Sequence, residues 1–410
     1  MRKAFSSLFV GLLLLTAASA QNLVSFSRSG TMTVAQTNQM ITKMFGSAVP
    51  QTSQALDLYK ISYRSRDEKN LPVVLTGLIV LPKGGAPRGL IVFNHGTIAD
   101  RRMSPSRFTG KANNSEAQTA TLAFASGGYA VVMPDYLGLG DHTTGAHPYP
   151  LAALNSRSAV DIIAPAREVA RRLKTDVGSR LYVSGYSEGG AVGMWTVRDL
   201  EKKTGAETEV TAAALGSGPY DLSGVTRKWL LESPSSQEEF VVKLYLTGYM
   251  ADYFHKSRGI KIVDYFKPTM AFAIDQAFKR GNLTDEAIIK RLALTGVLMR
   301  SKNSFDNVIT PKFKKALETL DTNDPLIREM LESDCYDWSP RTRMLLINLV
   351  NDKVVIPENT AKAIETMRRR GVGANLLRQY VVNDSSLNHV TGMPVVMAQA
   401  RKFFDEGFPN

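Results

Sequence analysis

One serine of this chain stands in a sequence context that could make its hydroxyl a nucleophile. Ser187 lies in the hexapeptide Gly-Tyr-Ser-Glu-Gly-Gly at 185–190, after an apolar run at 180–184 and before a helix-like segment at 191–203. A serine at the apex of such a strand–turn–helix bend adopts a strained backbone conformation, which flanking glycines tolerate because they carry no Cβ. The bend pushes the hydroxyl out of the sheet, near a helix N-terminus. The context predicts attack on a carbonyl carbon; a simple glycine-rich turn is the alternative.

A nucleophilic serine needs a base, and the base needs a group that orients it. In a strand–turn–helix setting these partners follow in the order serine, acid, histidine. Of the five histidines, only His255 and His389 lie well downstream of the serine. His389 occupies a polar loop between the last apolar run and a final helix-like segment, where an imidazole can reach back over the sheet. We predict that His389 is the base, with an exposed loop histidine as the alternative.

The acid is expected just past the apolar run at 344–350. Asp352 follows that run directly and leaves room for one helix and one strand before His389. An aspartate before a helix is also a common turn residue, so this role competes with the catalytic one. We predict that Asp352 is the acid. Asp384, at the end of the last apolar run, is the rival candidate, and Asp337 is a more distant one.

The tetrahedral intermediate of acyl transfer needs hydrogen-bond donors for its oxyanion. One donor is expected to be the backbone amide of Glu188, directly after the nucleophile. The second is expected in the loop His95-Gly96-Thr97, which follows the apolar run at 89–94, and we assign it to the Thr97 amide. Gly96 lets the backbone turn close to the site. His95 either orients this loop or is a strand-end histidine without a catalytic part.

Side chains beside these groups are candidates for contact with a substrate. The four candidates are His95, Gly96, Tyr149 and Tyr186. Tyr149 belongs to a His-Pro-Tyr segment that either lines the pocket or braces it. Further along the chain, Tyr245, Tyr249 and Tyr253 recur at four-residue spacing, as on one face of a helix. This stripe either faces an acyl chain or packs against a neighbouring helix.

Apolar runs that read as strands alternate with amphipathic segments that read as helices. The predicted strands are 58–65, 73–81, 89–94, 129–134, 180–184, 210–215, 344–350 and 376–383, and the predicted helices are 116–126, 156–174, 191–203, 359–370 and 393–406. Nearly continuous apolar runs are typical of parallel strands covered on both faces. The pattern predicts an α/β fold with a mostly parallel, doubly covered sheet. The runs 58–65 and 73–81 are expected to form an antiparallel edge, and Pro165 a kink or a late helix start.

The alternation is interrupted once. Residues 222–340 are helical and amphipathic, with turn signals and no strand-like run. We therefore predict a core formed by 21–221 and 341–410, and a helical cap or lid inserted as 222–340. Insertions of this kind commonly cover an active site.

The start of the chain indicates export. Residues 1–20 combine a positive beginning, an apolar centre and an Ala-Ser-Ala ending, which predicts a signal peptide cleaved before Gln21 rather than a membrane anchor. The mature protein is expected to be soluble and secreted, either extracellular or periplasmic. The single cysteine, Cys335, allows no internal disulfide, and a chain of this size can build a core that needs none. Cys335 is expected to be a buried apolar residue.

Composition and motifs also exclude several classes of function. The chain has 50 lysines and arginines against 38 aspartates and glutamates, a net charge of +12. These basic residues match no nucleic-acid recognition module, but a basic surface favours transient contact with a lipid interface or an anionic surface. Residues 135–140, Asp-Tyr-Leu-Gly-Leu-Gly, lack the spacing of a dinucleotide-binding loop and predict a structural turn. No metal-binding pattern is present in the sequence, so neither a metal nor another cofactor is expected.

Taken together, these motifs resemble those of the α/β-hydrolase superfamily and, more narrowly, of the secretory lipase family of Candida antarctica lipase A-like enzymes. The resemblance rests on the segments 95–97, 134–140, 147–149 and 185–190, on Asp352 with Pro357, and on His389, which together span about residues 90 to 390. It implies an α/β-hydrolase fold with a helical lid over an acyl pocket. It also implies hydrolysis of a small-molecule ester or lipid by Ser187, His389 and Asp352 through an acyl-enzyme. The fungal relatives carry disulfides, which this chain cannot form.

Two alternatives stay open at the level of sequence. A serine peptidase or amidase of the same fold would use the same acyl-transfer chemistry. A non-catalytic hydrolase-like binding protein would keep the fold without the activity, although the intact order of serine, acid and histidine argues against it.

Overall fold

The structure is a computed structural model that describes residues 22–409 apart from 114 and 280. The predicted signal peptide, 1–20, lies outside the described residues. Within the described residues one sheet of nine strands forms the centre of the molecule. The strands are β1 (Leu23–Met32), β2 (Leu56–Arg66), β3 (Pro72–Pro82), β4 (Leu90–Asn94), β5 (Ala130–Pro134), β6 (Leu181–Tyr186), β7 (Val210–Gly216), β8 (Met344–Leu349) and β9 (Leu377–Val382).

The order of the strands across the sheet is β1-β2-β3-β5-β4-β6-β7-β8-β9. The pairs from β1 to β5 are antiparallel, and all pairs from β5 to β9 are parallel. The central strands β4 and β5 are short and wholly buried apolar runs, as expected when helices cover both faces of a parallel sheet. The predicted α/β fold with a mostly parallel, doubly covered sheet is confirmed.

Helices cover both faces of the sheet. They are α1 (Val34–Phe45), α2 (Glu116–Phe124), α3 (Ala152–Asp161), α4 (Ile163–Arg172), α5 (Glu188–Leu200), α6 (Arg227–Leu231), α7 (Gln237–Arg258), α8 (Pro268–Phe278), α9 (Asp285–Leu298), α10 (Pro311–Thr319), α11 (Pro325–Ser333), α12 (Glu358–Arg369) and α13 (Met393–Glu406). Helices α3, α4, α5 and α12 pack on one face, and α1, α2 and α13 on the other. Successive residues of a strand therefore contribute to opposite cores, as Ile91 and Val92 do.

The structure differs from the predicted elements in three places. The strand β1 and the helix α1 were not predicted. For β1 the reason is that it is an edge strand whose mostly polar side chains are largely exposed. The outer antiparallel edge is therefore β1 rather than β2. The predicted helix at 156–174 is two helices, α3 and α4, which meet at Ile162. Pro165 explains the break, since it has no N–H to donate to the carbonyl four residues earlier.

Between β7 and β8 the described residues form helices α6 to α11 and no strand beyond an isolated bridge between Phe266 and Ile309. These helices share an apolar core of their own, separate from the two cores of the sheet. We use the name cap segment for residues 222–340, as in the prediction. The amide of Cys335 donates to the carbonyl of Tyr220 at 3.0 Å, so the two ends of the cap segment lie side by side. Cys335 is buried and free.

None of the helices in the described part of the chain combines the length and the apolar character that crossing a bilayer requires.

Candidate active site

Ser187 occupies the bend between β6 and α5, and its backbone has the strained conformation that the motif predicted. Its φ is 58° and its ψ −127°, a left-handed region that non-glycine residues rarely adopt. The neighbouring glycines are required by close backbone contacts. A Cβ on Gly185 would lie 2.1 Å from the carbonyl oxygen of Gly189, and one on Gly189 would lie 2.0 Å from that of Asn94. The packing of the bend therefore holds the serine at the carboxyl edge of the sheet.

The structure brings Ser187, His389 and Asp352 into one hydrogen-bonded line. The Nε2 atom of His389 lies 2.8 Å from the Oγ of Ser187. The Nδ1 atom lies 2.7 Å from the Oδ2 of Asp352. Because Asp352 is an acceptor, its contact places the ring proton on Nδ1 and leaves the lone pair of Nε2 facing the serine hydroxyl. This is the tautomer that a general base requires.

Backbone amides close to Asp352 in sequence hold its carboxylate in place. The other carboxylate oxygen of Asp352 accepts the amides of Val354 at 3.0 Å and Val355 at 2.9 Å. Asp352 is 2% exposed, so these two amides compensate for much of its lost hydration. The turn role that competed with the catalytic one in the sequence is thus present as well, because one oxygen serves the turn and the other serves His389.

The rival candidates lie elsewhere in the structure. Asp384 is exposed and accepts from its neighbour Ser386. Asp337 pairs with Arg370 on the surface. The ring of His255 contacts the carbonyl of Ile260 in the cap segment. Each is therefore occupied by local contacts away from the line of Ser187, His389 and Asp352.

Two backbone amides near Ser187 are the candidate donors to an oxyanion. Glu188 is the first residue of α5, and a first-turn amide has no acceptor within its own helix. Thr97 belongs to the loop after β4, and both residues line the same cavity as Ser187. A positive helix terminus and an amide from a second loop are the elements of an oxyanion hole. The assignment of Glu188 and Thr97 as donors is consistent with this placement and stays a prediction.

The cavity beside Ser187 has a volume of about 50 Å³ and a mostly apolar lining. Core residues form one side and the cap segment forms the other. The side formed by the cap segment includes Leu222, Trp229, Leu230, Leu246, Met250 and Met330. Tyr149 lines the cavity from the core, where it was expected to contact a substrate. A nucleophile at the mouth of an apolar cavity can receive a carbonyl group that carries an apolar substituent.

No protein-family model matches the chain, and no curated protein matches it. Solved structures do match it. A candidate hydrolase from Legionella pneumophila is 24% identical, with a TM-score of 0.80 over 95% of this chain and 100% of that one. The rice cell wall degrading esterase LipA from Xanthomonas oryzae is 22% identical, with a TM-score of 0.77 over 95% of this chain and 100% of that one. Candida antarctica lipase A in its closed state is 13% identical, with a TM-score of 0.66 over 95% of this chain and 83% of that one.

The three neighbours extend over nearly the whole of this chain, sheet and cap segment together. The chain has the α/β-hydrolase fold. The resemblance predicted from the motifs is confirmed at the level of this fold. In the α/β-hydrolase fold seen here, Ser187 follows β6, Asp352 follows β8 and His389 follows β9, all at the carboxyl edge of parallel strands.

Two of the residues predicted to contact substrate support the site from behind. His95 is 1% exposed, stacks on Tyr136 with ring centroids 4.1 Å apart, and lies 2.7 Å through Nδ1 from the carbonyl of Gly96. Burial lowers the pKa of His95 to about 4, so its imidazole is neutral. Tyr186 is also buried, and its hydroxyl donates to the carbonyl of His389 at 2.6 Å. Neither side chain lines the cavity beside Ser187, and their direct contact with a substrate stays a prediction.

The tyrosine stripe of the cap segment packs rather than facing an acyl chain. Tyr245 donates to Asp285 at 2.8 Å, and Tyr249 donates to the carbonyl of Ile98 at 2.9 Å. All three tyrosines are buried, and none lines the cavity beside Ser187. Helical spacing alone could not distinguish a packing face from a binding face. The cap-segment residues that do line the cavity come from several helices, so no single stripe in the sequence marks them.

Sequence reasoning missed the side chains that hold the oxyanion region. The carboxyl group of Glu188 is turned away from solvent; its Oε1 atom lies 3.0 Å from His147 Nε2 and accepts from Asn155 Nδ2 at 3.0 Å. The amide of Gly96 donates to the carboxyl of Glu116 at 2.8 Å. His147 was noted only as part of a segment that either lines the pocket or braces it, and its contact with Glu188 is a bracing one. A glutamate in the first turn of a helix is common, so nothing in the sequence marked Glu116.

Among the described residues, no group of three or more histidine, cysteine, aspartate or glutamate side chains is arranged to hold a metal ion.

Proposed function

We propose that this protein is a serine hydrolase that cleaves carboxylic esters. The observation that carries the proposal is the line of contacts from Ser187 Oγ to His389 Nε2 at 2.8 Å and from His389 Nδ1 to Asp352 at 2.7 Å, at the edge of an apolar cavity. The esterase and lipase named among the structural neighbours support the same class of substrate.

The first half of the reaction forms an acyl-enzyme. Ser187 Oγ attacks the ester carbonyl while His389 Nε2 accepts the hydroxyl proton, and Asp352 stabilises the resulting imidazolium. The carbonyl oxygen becomes an oxyanion, which accepts hydrogen bonds from the amides of Glu188 and Thr97. Collapse of this intermediate breaks the bond to the alcohol, and His389 donates its proton to the departing oxygen.

The second half releases the acid and restores the enzyme. Water loses a proton to His389 as its oxygen attacks the carbonyl carbon bound to Ser187. The same two amides stabilise the second oxyanion. When the intermediate collapses, His389 returns the proton to Ser187 Oγ and the carboxylic acid leaves. The complete reaction consumes one water and one ester, and no other reactant.

Removal of the nucleophile tests the proposal. Ser187→Ala should lower kcat/KM for p-nitrophenyl butyrate by about 10⁶-fold, with little change in Tm because the serine hydroxyl is not part of a core. Ser184→Ala is the matched control, since Ser184 is a buried serine on the same strand whose hydroxyl donates to the carbonyl of Ala214. It should retain activity. An organophosphonate should label the wild type at Ser187 only.

Three results would contradict the proposed function, each in a different way. Undiminished turnover by Ser187→Ala would refute the assignment. Absence of labelling, together with no turnover of any ester, would favour a non-catalytic binding protein. Faster cleavage of peptide amides than of esters would favour the peptidase or amidase alternative.

We also propose that the protein is secreted after removal of residues 1–20. Sequencing of the mature N-terminus should then start at Gln21, and a mature protein that retains residues 1–20 would contradict this.

A further inference from the structure

An immobilised aromatic side chain forms part of the wall of the cavity beside Ser187. Trp229 is 3% exposed and lines the cavity. The ammonium group of Lys243 lies 4.7 Å from the centroid of its ring and donates to its carbonyl at 2.6 Å. Lys243 is itself fully buried and paired with Glu239 at 3.3 Å. An indole held by a buried cation on its face and a hydrogen bond to its backbone cannot swing aside easily.

The remaining lining of the cavity supplies no positive charge. Besides Ser187 and Tyr149, its polar side chains are the hydroxyl groups of Thr97, Thr226 and Thr247 and the carboxyl group of Glu188, whose Oε1 atom lies 3.0 Å from His147 Nε2 and from Asn155 Nδ2. No lysine or arginine of the described residues lines it. A carboxylate on the acyl chain would therefore lose its hydration without gaining a cation.

The volume limits the length of the acyl chain. A cavity of about 50 Å³ holds roughly four groups of the size of a water molecule, since each takes up about 10–15 Å³. Building on the proposed function, we infer that the preferred acyl group is short, apolar and uncharged, and that Trp229 sets its maximum length. Longer chains would have to displace the indole from its place under Lys243.

A series of p-nitrophenyl esters tests this inference. We expect kcat/KM to be highest for acetate to butyrate and to fall by at least about 100-fold for laurate. A monoester of succinic acid should also react much more slowly than the butyrate. In Trp229→Ala the ratio of laurate to butyrate activity should rise at least about tenfold, because the wall is removed. Trp229→Phe, which removes less volume, should give an intermediate ratio.

Trp195→Ala is the matched control. Trp195 lies on α5, and the guanidinium of Arg198 lies 4.6 Å from its ring centroid, so a cation covers both indoles. Because Trp195 does not line the cavity, its loss should leave the laurate-to-butyrate ratio unchanged. Equal rates for all chain lengths in the wild type, or the same shift in Trp195→Ala and Trp229→Ala, would overturn the inference. Absence of hydrolysis of every ester would instead refute the proposed function.

A second, independent observation concerns Glu116, the first residue of α2. Its Oε2 atom accepts the amide of Gly96 at 2.8 Å. A Cβ on Gly96 would lie 2.6 Å from Oε1 of the same carboxyl group and 3.2 Å from the Cβ of Ser187. The carboxyl group therefore lies against the loop that carries Thr97 and close to the bend that carries the nucleophile.

We propose that Glu116 is a positioning residue that holds the Thr97 amide toward the oxyanion and does so productively only while its carboxyl group is neutral. The neutral acid still accepts the amide of Gly96 through its carbonyl oxygen. The ionised acid would place a negative charge beside the developing oxyanion and oppose it.

The surroundings of Glu116 favour the neutral acid at neutral pH. Burial, and after it the nearby carboxylate of Glu188 on α5, raise the pKa of Glu116 to about 8, although the bond from Gly96 opposes the rise. The other titratable groups that interact with Glu116 are the phenols of Tyr136 and Tyr186, whose own pKa values are raised well above the usual value. They are neutral in this pH range, so of these three groups only Glu116 changes charge near pH 8.

The pH profile of ester hydrolysis tests this role. In the wild type kcat should fall as the pH rises through about 8, while KM changes little. Glu116→Gln cannot ionise and still offers a carbonyl oxygen to Gly96, so it should keep the neutral-pH rate within about threefold and lose the alkaline decline. Glu116→Ala should lower kcat by about 10-fold to 100-fold at all pH values, because the loop is no longer held.

Glu358→Gln is the control, since Glu358 is the first residue of α12 and is exposed. It should reproduce the wild-type profile. An alkaline decline that persists in Glu116→Gln, or a Glu116→Ala variant that changes only KM, would overturn the positioning role. Hydrolysis that is absent in the wild type at every pH would refute the proposed function instead.

Discussion

The core and the cap segment contribute to the site in different ways. From the core come Ser187, Asp352 and His389, each after a parallel strand, with Asp352 and His389 held by hydrogen bonds from core residues. The cap segment supplies apolar walls such as Trp229 and Met330 and no member of the hydrogen-bonded line. Under the proposed function, reaction chemistry belongs to the edge of the sheet, and choice of substrate to a separate layer of helices. If the comparison holds, changes in the core should affect kcat for every ester, and changes in the cap segment should affect some esters more than others.

The largest expected effect tests whether the core residues act as one unit. His389→Ala should lower kcat by about 10⁶-fold, and the double variant with Ser187→Ala should be no worse than either single variant. Steady-state rates with butyrate and octanoate esters would show whether the loss is the same for both. A loss confined to one chain length would break the division between core and cap.

The next largest effect tests the acid. Asp352→Asn should lower kcat by about 10⁴-fold, because the amide no longer fixes the Nδ1–H tautomer of His389. Asp384→Asn, which alters an exposed aspartate bonded to Ser386, should have no comparable effect. Parallel rate measurements on the two variants decide between them, and the reverse result would transfer the acid role to Asp384.

A moderate effect is expected from the support behind the base. Tyr186→Phe removes the hydroxyl that donates to the carbonyl of His389 at 2.6 Å, and we expect kcat to fall by about fivefold to tenfold with KM nearly unchanged. Tyr63→Phe is a control, because the buried Tyr63 donates to the carbonyl of Ser158, a residue of α3. Comparable loss of kcat in both variants would show that Tyr186 acts through stability alone.

The smallest effect concerns the tie between the cap segment and the core. Tyr249→Phe removes the hydrogen bond to the carbonyl of Ile98, in the loop that carries Thr97. We expect a loss of about 1 kcal/mol in the free energy of unfolding, measured by denaturant titration, with an unchanged preference among ester chain lengths. A changed preference would show that this tie, and not only the cavity wall, determines selectivity.

Local patterns in the sequence predicted most of the elements that carry the candidate site. The strand–turn–helix bend at Ser187 predicted its backbone strain, and the order of strands predicted that Asp352 and His389 would meet it at one edge. The edge strand β1 escaped prediction because its exposed, mostly polar residues carry no apolar alternation. The break at Ile162 was predicted only as a kink or late start near Pro165.

The contacts that support the site from outside the line of Ser187, His389 and Asp352 could not be predicted. The bond from Gly96 to Glu116, and the contacts of His147 and Asn155 with Glu188, join separate segments of the chain. Each of these residue types is common at its local position, so no pattern set it apart. The tyrosine stripe of α7 was ambiguous for the related reason that helical periodicity reveals a buried face but not what covers it.

The adjacency of Tyr220 and Cys335 has a topological consequence. The chain leaves the sheet and its covering helices after β7 and returns next to the point of departure. The helices in between are therefore an insertion that does not connect distant parts of the sheet. An insertion of this kind can be lengthened, shortened or exchanged for another without a change in the order of the strands. A new specificity can therefore arise on this fold when one contiguous stretch of the gene is replaced and Ser187, Asp352 and His389 stay unchanged.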